Sequence, residues 1–278
     1  MATQTMADRP QTGILLRQWR ELRGKSQLDL SLDAGVSQRH ISFIEVGRSI
    51  PSRQMLIDIA TVLDMPLRDR NSLLLAGGYA PIYPDIAWDG PEMAAINRAL
   101  SRMLLQHEPF PALVMDRYWN VLMTNQAAPR FFGQFCDLSA RRHPRNMLEL
   151  MFDPAAMRPF IADFATMAAS LIQRVHRESV GRIVDDRTKA LLTTLRAFPD
   201  IPPPHAEAGA PSAMPVIPLS FIKGGRRLNY FSMVTSVGTP QTVAAQELRI
   251  ETMFPADEET EILHRALLGD GDFENSQE

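Results

Sequence analysis

The sequence predicts two domains, an all-α N-terminal bundle of five short helices followed by an α+β domain carrying an antiparallel sheet. Three observations lead there. At 278 residues the chain is about twice the common length of a single domain. Residues 11 to 77 repeat a pattern of apolar residues at helical spacing closed by glycine, whereas later segments change to strand-like runs around tight turns.

In the first domain Ile14, Leu15, Trp19 and Leu22 share helical spacing, and the chain turns at Gly24-Lys25. Ser26 reads as the N-cap of a helix over Gln27 to Ala34, ended by Gly35, where a left-handed backbone costs least. Ser37 caps the next helix, Gln38 to Val46, with Gly47 after it. Pro51-Ser52 opens a fourth with Met55, Ile59 and Leu63 on one face, and Leu67 to Ala76 forms a fifth, stopped by Gly77-Gly78. The resulting boundaries are a disordered N-terminus over 1–11, the helical domain over 12–78 and a proline-containing linker over 79–92.

The second domain, 93–268, starts with a helix from Met93 to Gln106. Ala112 to Met115 and Val121 to Thr124 read as a hairpin around Asp116 to Asn120, and Asn125 as the cap of a short helix through Phe132. Residues 146 to 198 read as helical, with Phe160, Phe164, Met167, Leu171 and Val175 as one stripe. After a proline-rich loop, strands are expected over Val216 to Lys223, Leu228 to Val237 and Glu247 to Phe254, then a helix over Glu258 to Leu268 and an acidic tail over 269–278.

Composition narrows the classes. Hydrophobic residues make up 45% and charged residues 22%, ordinary values for a chain that buries a core. The longest apolar runs fall far short of the roughly 20 residues that span a bilayer, and the first residues carry no basic-then-apolar signal, so a cytoplasmic protein is expected. Cys136, the only cysteine, excludes an intrachain disulfide and a cysteine-based zinc site. The net charge of −3 is uneven: residues 1 to 80 hold ten Arg and Lys against eight acids, the remainder 19 against 24.

The segment SQLDLSLDAGVSQRHISFIEVGRSIPS carries the most specific chemistry. Helix, glycine turn and second helix form the unit that sets a recognition helix into the DNA major groove. Val36, Ile41 and Ile44 pack the pair and leave Gln38, Arg39 and Ser42 outward. Gln pairs bidentately with adenine and Arg with guanine, while a serine hydroxyl suits base or phosphate. Gln27 and Ser37 stand at helix starts, whose amides suit phosphate, and Arg48 and Arg53 flank the next helix. Residues 12 to 77 resemble the XRE family of phage-repressor-like DNA-binding domains through LRQWRELR, Ser26-Gln27, Ala34-Gly35-Val36-Ser37, Ile41-Ser42, Ile44-Glu45, Gly47-Arg48 and Pro51-Ser52. Ser31 and Leu32 depart from its usual pattern. The resemblance implies a five-helix bundle that binds a double-stranded operator, with base contacts from its third helix and phosphate contacts from the second.

Residues 81 to 268 resemble the MmyB-like ligand-binding domain through HEPFPALVMDRYWNVLMTNQAA, PRNMLELMFDP, VGTPQ and ELRIETMFPADEETE, with RNSLLLAGGYAP just ahead. That resemblance implies a PAS-like fold around an apolar pocket for a fatty-acid-like or other small apolar molecule. Trp119, Phe131, Phe132, Phe160, Phe164, Met167 and Leu171 are the candidate walls, and Arg145 is the candidate anchor for a carboxylate head. Two functions stay open: a ligand-responsive regulator, or a DNA-binding protein whose second domain only dimerises or docks a partner protein. A homodimer is expected in either case.

No enzyme chemistry is legible. The six histidines never fall at metal-ligand spacing, and the chain has no Walker A loop, no GxGxxG after a strand and no GxSxG elbow. Asp270, Asp272 and Glu274 begin a calcium-loop pattern without completing it. Cys136, followed by Arg141-Arg142-His143, reads either as a packed residue or as a redox-sensing thiol.

Overall fold

The computed structural model describes residues 9–180, 185–202 and 219–269. The chain divides into two compact units: Met1–Ile86 with His176–Asp185 and Thr239–Gln246, and Ala87–Val175 with Asp186–Gly238 and Glu247–Glu278.

The first unit holds α1 (Arg9–Leu22), α2 (Gln27–Asp33), α3 (Gln38–Glu45), α4 (Arg53–Val62) and α5 (Leu67–Ala76). Helix α1 thus starts at Arg9, inside the span expected to be disordered, and residues 1–8 lie outside the described residues. Leu16 and Trp19 of α1, Leu30 of α2, Ile41 and Ile44 of α3, and Leu56 and Ile59 of α4 are all at most 1% exposed and form one core. The caps are those the sequence predicts: Ser26 forms a reciprocal capping box with Asp29, Ser37 accepts from the His40 amide, and Ser52 from that of Met55. Gly35 follows α2 at φ +65°, the left-handed position a side chain would strain. Gly13 has a different reason, invisible in the sequence: a Cβ there would lie 2.4 Å from the Glu45 carbonyl oxygen, so α1 crosses the end of α3 at glycine distance.

Within the span expected as a linker, residues 79–85 are bound to this unit. The Asn71 side chain accepts from the amides of Ile82 and Tyr83 and donates to the Tyr83 carbonyl, and the Tyr79 hydroxyl donates to the Pro51 carbonyl. Helix α5 begins after Pro66, which provides no side-chain cap; the Leu67 amide donates instead to Gln246 Oε1 at 2.7 Å, from a residue 179 positions away.

The second unit contains a five-stranded antiparallel sheet of β1 (Ala112–Met115), β2 (Val121–Thr124), β3 (Leu219–Lys223), β4 (Arg226–Thr235) and β5 (Arg249–Pro255), in the order β2-β1-β5-β4-β3. Strand β1 pairs with β5 in register Leu113 to Glu251, so the beginning and end of the domain meet in mid-sheet. One sheet face gives Leu113, Met115, Phe221, Leu228, Tyr230 and Met253 to a core completed by helices α7 (Ala127–Phe132), α8 (Met147–Phe152), α9 (Phe164–Val180), α10 (Asp186–Ala197) and α12 (Glu258–Leu267). Helix α6 (Ala94–Gln106) runs between Met93 and the sheet, and α11 (Val243–Glu247) lies between β4 and β5 in sequence.

Two expectations for the second unit are corrected. The span 146 to 198 is not continuously helical: α8 is followed by a 3-10 turn at Arg158–Phe160, and Asp163, at φ +51°, precedes α9. Ile161 is extended and bridges to Phe221, and so Phe160 lies outside the α9 stripe begun by Phe164. The third strand starts at Arg249, not Glu247, because residues 243–247 fold into α11. Residues 216–218 of the first predicted strand, most of the proline-rich loop and the acidic tail from residue 270, including the calcium-like pattern, lie outside the described residues.

Two helix starts depend on aspartates whose carboxyls are held below their ordinary range, Asp29 mainly by the Ser26 hydroxyl and Asp257 mainly by the Thr260 side chain. A depressed folded-state pKa contributes stability above the unfolded value, near 4, that is lost as pH falls through the folded one. The denaturation midpoint should therefore drop on acidification from pH 5 to 3, and Asp257→Asn, which keeps a cap without a titrating group, should flatten the dependence. An unchanged slope in that variant would remove Asp257 from the account.

Candidate functional site

Helix α3 is amphipathic over only eight residues. Ile41 and Ile44 are buried, Gln38 and Arg39 are exposed, and Ser42 is half-buried. The Arg39 guanidinium lies 5.1 Å from the centre of the Phe43 ring, which supports the side chain along the outer face of the helix. Arg48 and Arg53 are exposed beyond the end of α3 and at the first position of α4. The Ser37 hydroxyl oxygen accepts from the His40 amide as the cap, a bond that does not use its own hydrogen. No acid stands in the first turn of α3, so nothing there repels a phosphate.

Gln27 is placed differently from the other candidates. Its Nε2 donates to Glu45 Oε2 at 2.8 Å. The same carboxylate accepts from Arg20 Nε at 2.6 Å and Nη2 at 3.0 Å, with the Glu45 side chain only 3% exposed. Arg20 Nη1 donates in turn to the Lys25 carbonyl, and the bond to Glu45 raises the Arg20 pKa above its ordinary value. One carboxylate therefore ties α1, the start of α2 and the end of α3 together, fixing the helix pair that presents Gln38 and Arg39. Glu45 was visible in the sequence only as part of the family pattern; a partner 25 positions away leaves no periodic signal.

In the second unit the apolar candidates come together. Trp119, Phe131, Phe132 and Met167 belong to the buried core, with Phe160, Phe164 and Leu171 packed against it. Six methionines (Met115, Met147, Met151, Met157, Met167 and Met253) share that core. Arg145 is half-buried, and its Nε donates to the Leu138 carbonyl at 3.0 Å. The redox reading of Cys136 loses its support: burial pushes the thiol up and outweighs the opposing Arg141, which is itself ion-paired with Asp153. Among the described residues no group of three His, Cys, Asp or Glu side chains could hold a metal ion, and no helix is long and apolar enough to cross a membrane.

A capped helix pair with an exposed polar recognition face, joined in one chain to an α+β domain with a methionine-rich core, defines a DNA-binding transcription regulator with a ligand-binding domain. Residues 16–69 match the helix-turn-helix family model, of XRE type here, and residues 96–267 match the MmyB-like transcription regulator ligand binding domain. The second match covers more than half of the sequence, and the chain belongs to that MmyB-like family. No curated protein matches it.

Proposed function

We propose that the protein reads a specific operator through Gln38, Arg39 and Ser42 of α3, holds the DNA backbone with Ser37, Arg48, Arg53 and the start of α2 at Gln27, and changes its DNA affinity when a small, predominantly apolar molecule occupies the second domain. The observation that carries the DNA part is the pairing on α3 of exposed Gln38 and Arg39 with fully buried Ile41 and Ile44. The sensing part is supported by the six core methionines, unbranched and polarizable side chains that repack around a guest more readily than branched ones. The ligand in this reading is a fatty-acid-like molecule. The protein works as a cytoplasmic homodimer without a catalytic step, since one eight-residue helix reads few base pairs and two spaced about 34 Å apart multiply the discrimination.

Selection from a random duplex library followed by titration tests the reading. Arg39→Ala should weaken the selected sequence by about 1–3 kcal/mol and relax one base position. Arg48→Ala should weaken all sequences alike and lower the slope of log affinity against log salt by about 1. Full affinity and unchanged selectivity in the Arg39 variant would remove α3 as the reader, and a monomer by sedimentation, free and on DNA, would remove the dimer.

A further inference from the structure

The turn joining β1 to β2 carries Trp119 at φ +67°, in the left-handed region that bulky side chains avoid. The residue is 3% exposed, and its indole Nε1 is buried with no hydrogen-bond acceptor among the described residues. Such a donor forfeits on folding the bond it makes with water, and each native instance calls for an explanation.

The turn does not let Trp119 relax. Its amide donates to the Asp116 carbonyl at 3.1 Å, and its own carbonyl accepts from the Met147 amide at 2.9 Å. Asp116 Oδ1 accepts from the amides of Tyr118 and Asn120 at 2.8 and 2.9 Å, while Asn146 Nδ2 donates to the Tyr118 carbonyl at 2.7 Å. The Arg174 guanidinium lies 4.5 Å from the indole centre and is itself held by Glu251 at 3.4 Å. Arg117 and Arg187 flank the neighbouring Tyr118, each at 5.2 Å. A rigid backbone thus holds an unused donor beside cationic groups, inside the same apolar core as Met115, Met147 and Met151.

We propose that Trp119 is the polar anchor of the ligand site: its Nε1–H donates to an acceptor oxygen, carboxylate or carbonyl, on an otherwise apolar molecule. This rests on the ligand-binding reading of the second domain. It moves the anchoring role from Arg145, one of whose N–H donors is held by the Leu138 carbonyl, to a buried donor with no hydrogen bond among the described residues. The strain and the lost bond are what a preorganised binding group costs in the free protein, and the acceptor oxygen offsets them on binding.

Full-length protein labelled with indole-15N tryptophan gives three side-chain signals, from Trp19, Trp88 and Trp119, and W119F identifies the third. Decanoic acid and methyl decanoate are the probes. Decanoic acid should move the Trp119 signal downfield, leave that of Trp19 in place and raise the melting temperature, and W119F should bind it about tenfold more weakly. A matching shift with the ester assigns a carbonyl acceptor; a shift with the acid alone assigns a carboxylate. If a probe raises the melting temperature but leaves the Trp119 signal unmoved, or binds W119F as tightly as wild type, the anchor is wrong while the ligand reading stands. If neither probe moves any signal or the melt at its solubility limit, both fail. The wild-type signal carries the test even if W119F is less stable.

Discussion

Glu45→Ala is expected to lower the stability of the first unit by about 3 kcal/mol. The carboxylate accepts from Arg20 twice and from Gln27 once, in a place where the two ion-pair side chains are 10% and 3% exposed. Removing it strands a cation that has already left water, and breaking a buried pair on one side typically costs about 3–5 kcal/mol. The lower end applies because Arg20 Nη1 keeps its bond to the Lys25 carbonyl. Removing both charges together is a different experiment: Arg20→Met with Glu45→Leu replaces the pair by apolar bulk and should recover most of the loss. Urea denaturation followed by circular dichroism measures both. A single-variant loss under about 1 kcal/mol would mean that packing at Gly13, Ile41 and Ile44 holds α1 on α3 without the ion pair. The single variant should also bind DNA weakly at temperatures where the unit is still mostly folded, because α3 loses its anchor.

His264→Ala is expected to be the most disruptive single change in the second unit, at about 3–5 kcal/mol, the range for truncating a large core ring. The imidazole is fully buried between two partners: Nε2 donates to the Pro109 carbonyl at 2.9 Å, which leaves Nδ1 to accept from the Tyr230 hydroxyl at 2.7 Å. Burial pushes the Tyr230 phenol up, so it stays protonated and donates throughout the working range. The ring also packs against Phe110 and Phe131 at 4.8 and 5.3 Å. Alanine leaves a cavity and two buried polar groups without their bonds, whereas Tyr230→Phe leaves only Nδ1 unmatched and should cost about 1–3 kcal/mol. Equal and small shifts of the denaturation midpoint in the two variants would show that the domain is not organised around this chain of bonds.

Much of the first unit was legible because its signals are local. A cap acts on an amide three residues away and a glycine stop acts at one φ angle, so Ser26, Ser37, Ser52 and Gly35 could be assigned without a fold. The outward face of α3 follows from the 3.6-residue period in the same way. The second unit was read less well where two signals competed. Apolar spacing ran on from Phe160 to Val175, but the extended Ile161 and the left-handed Asp163 cut the helix, and the start of the run read as a strand before Arg249 belongs to α11. The apolar candidate walls were found because large apolar side chains go to the core wherever the fold puts it, whether or not they line a site.

By itself the sequence determined the class of each domain, the helices of the first unit from Gln27 onward and the outward face of α3, since each depends on contacts within a few residues along the chain. Only the tertiary structure decided what Glu45, Gly13, Gln246, His264 and Trp119 do. Their partners lie far away in sequence, or at Trp119 Nε1 are absent among the described residues, and a side chain's energy there is set by burial and by the groups brought within about 3 Å, which no spacing along the chain encodes.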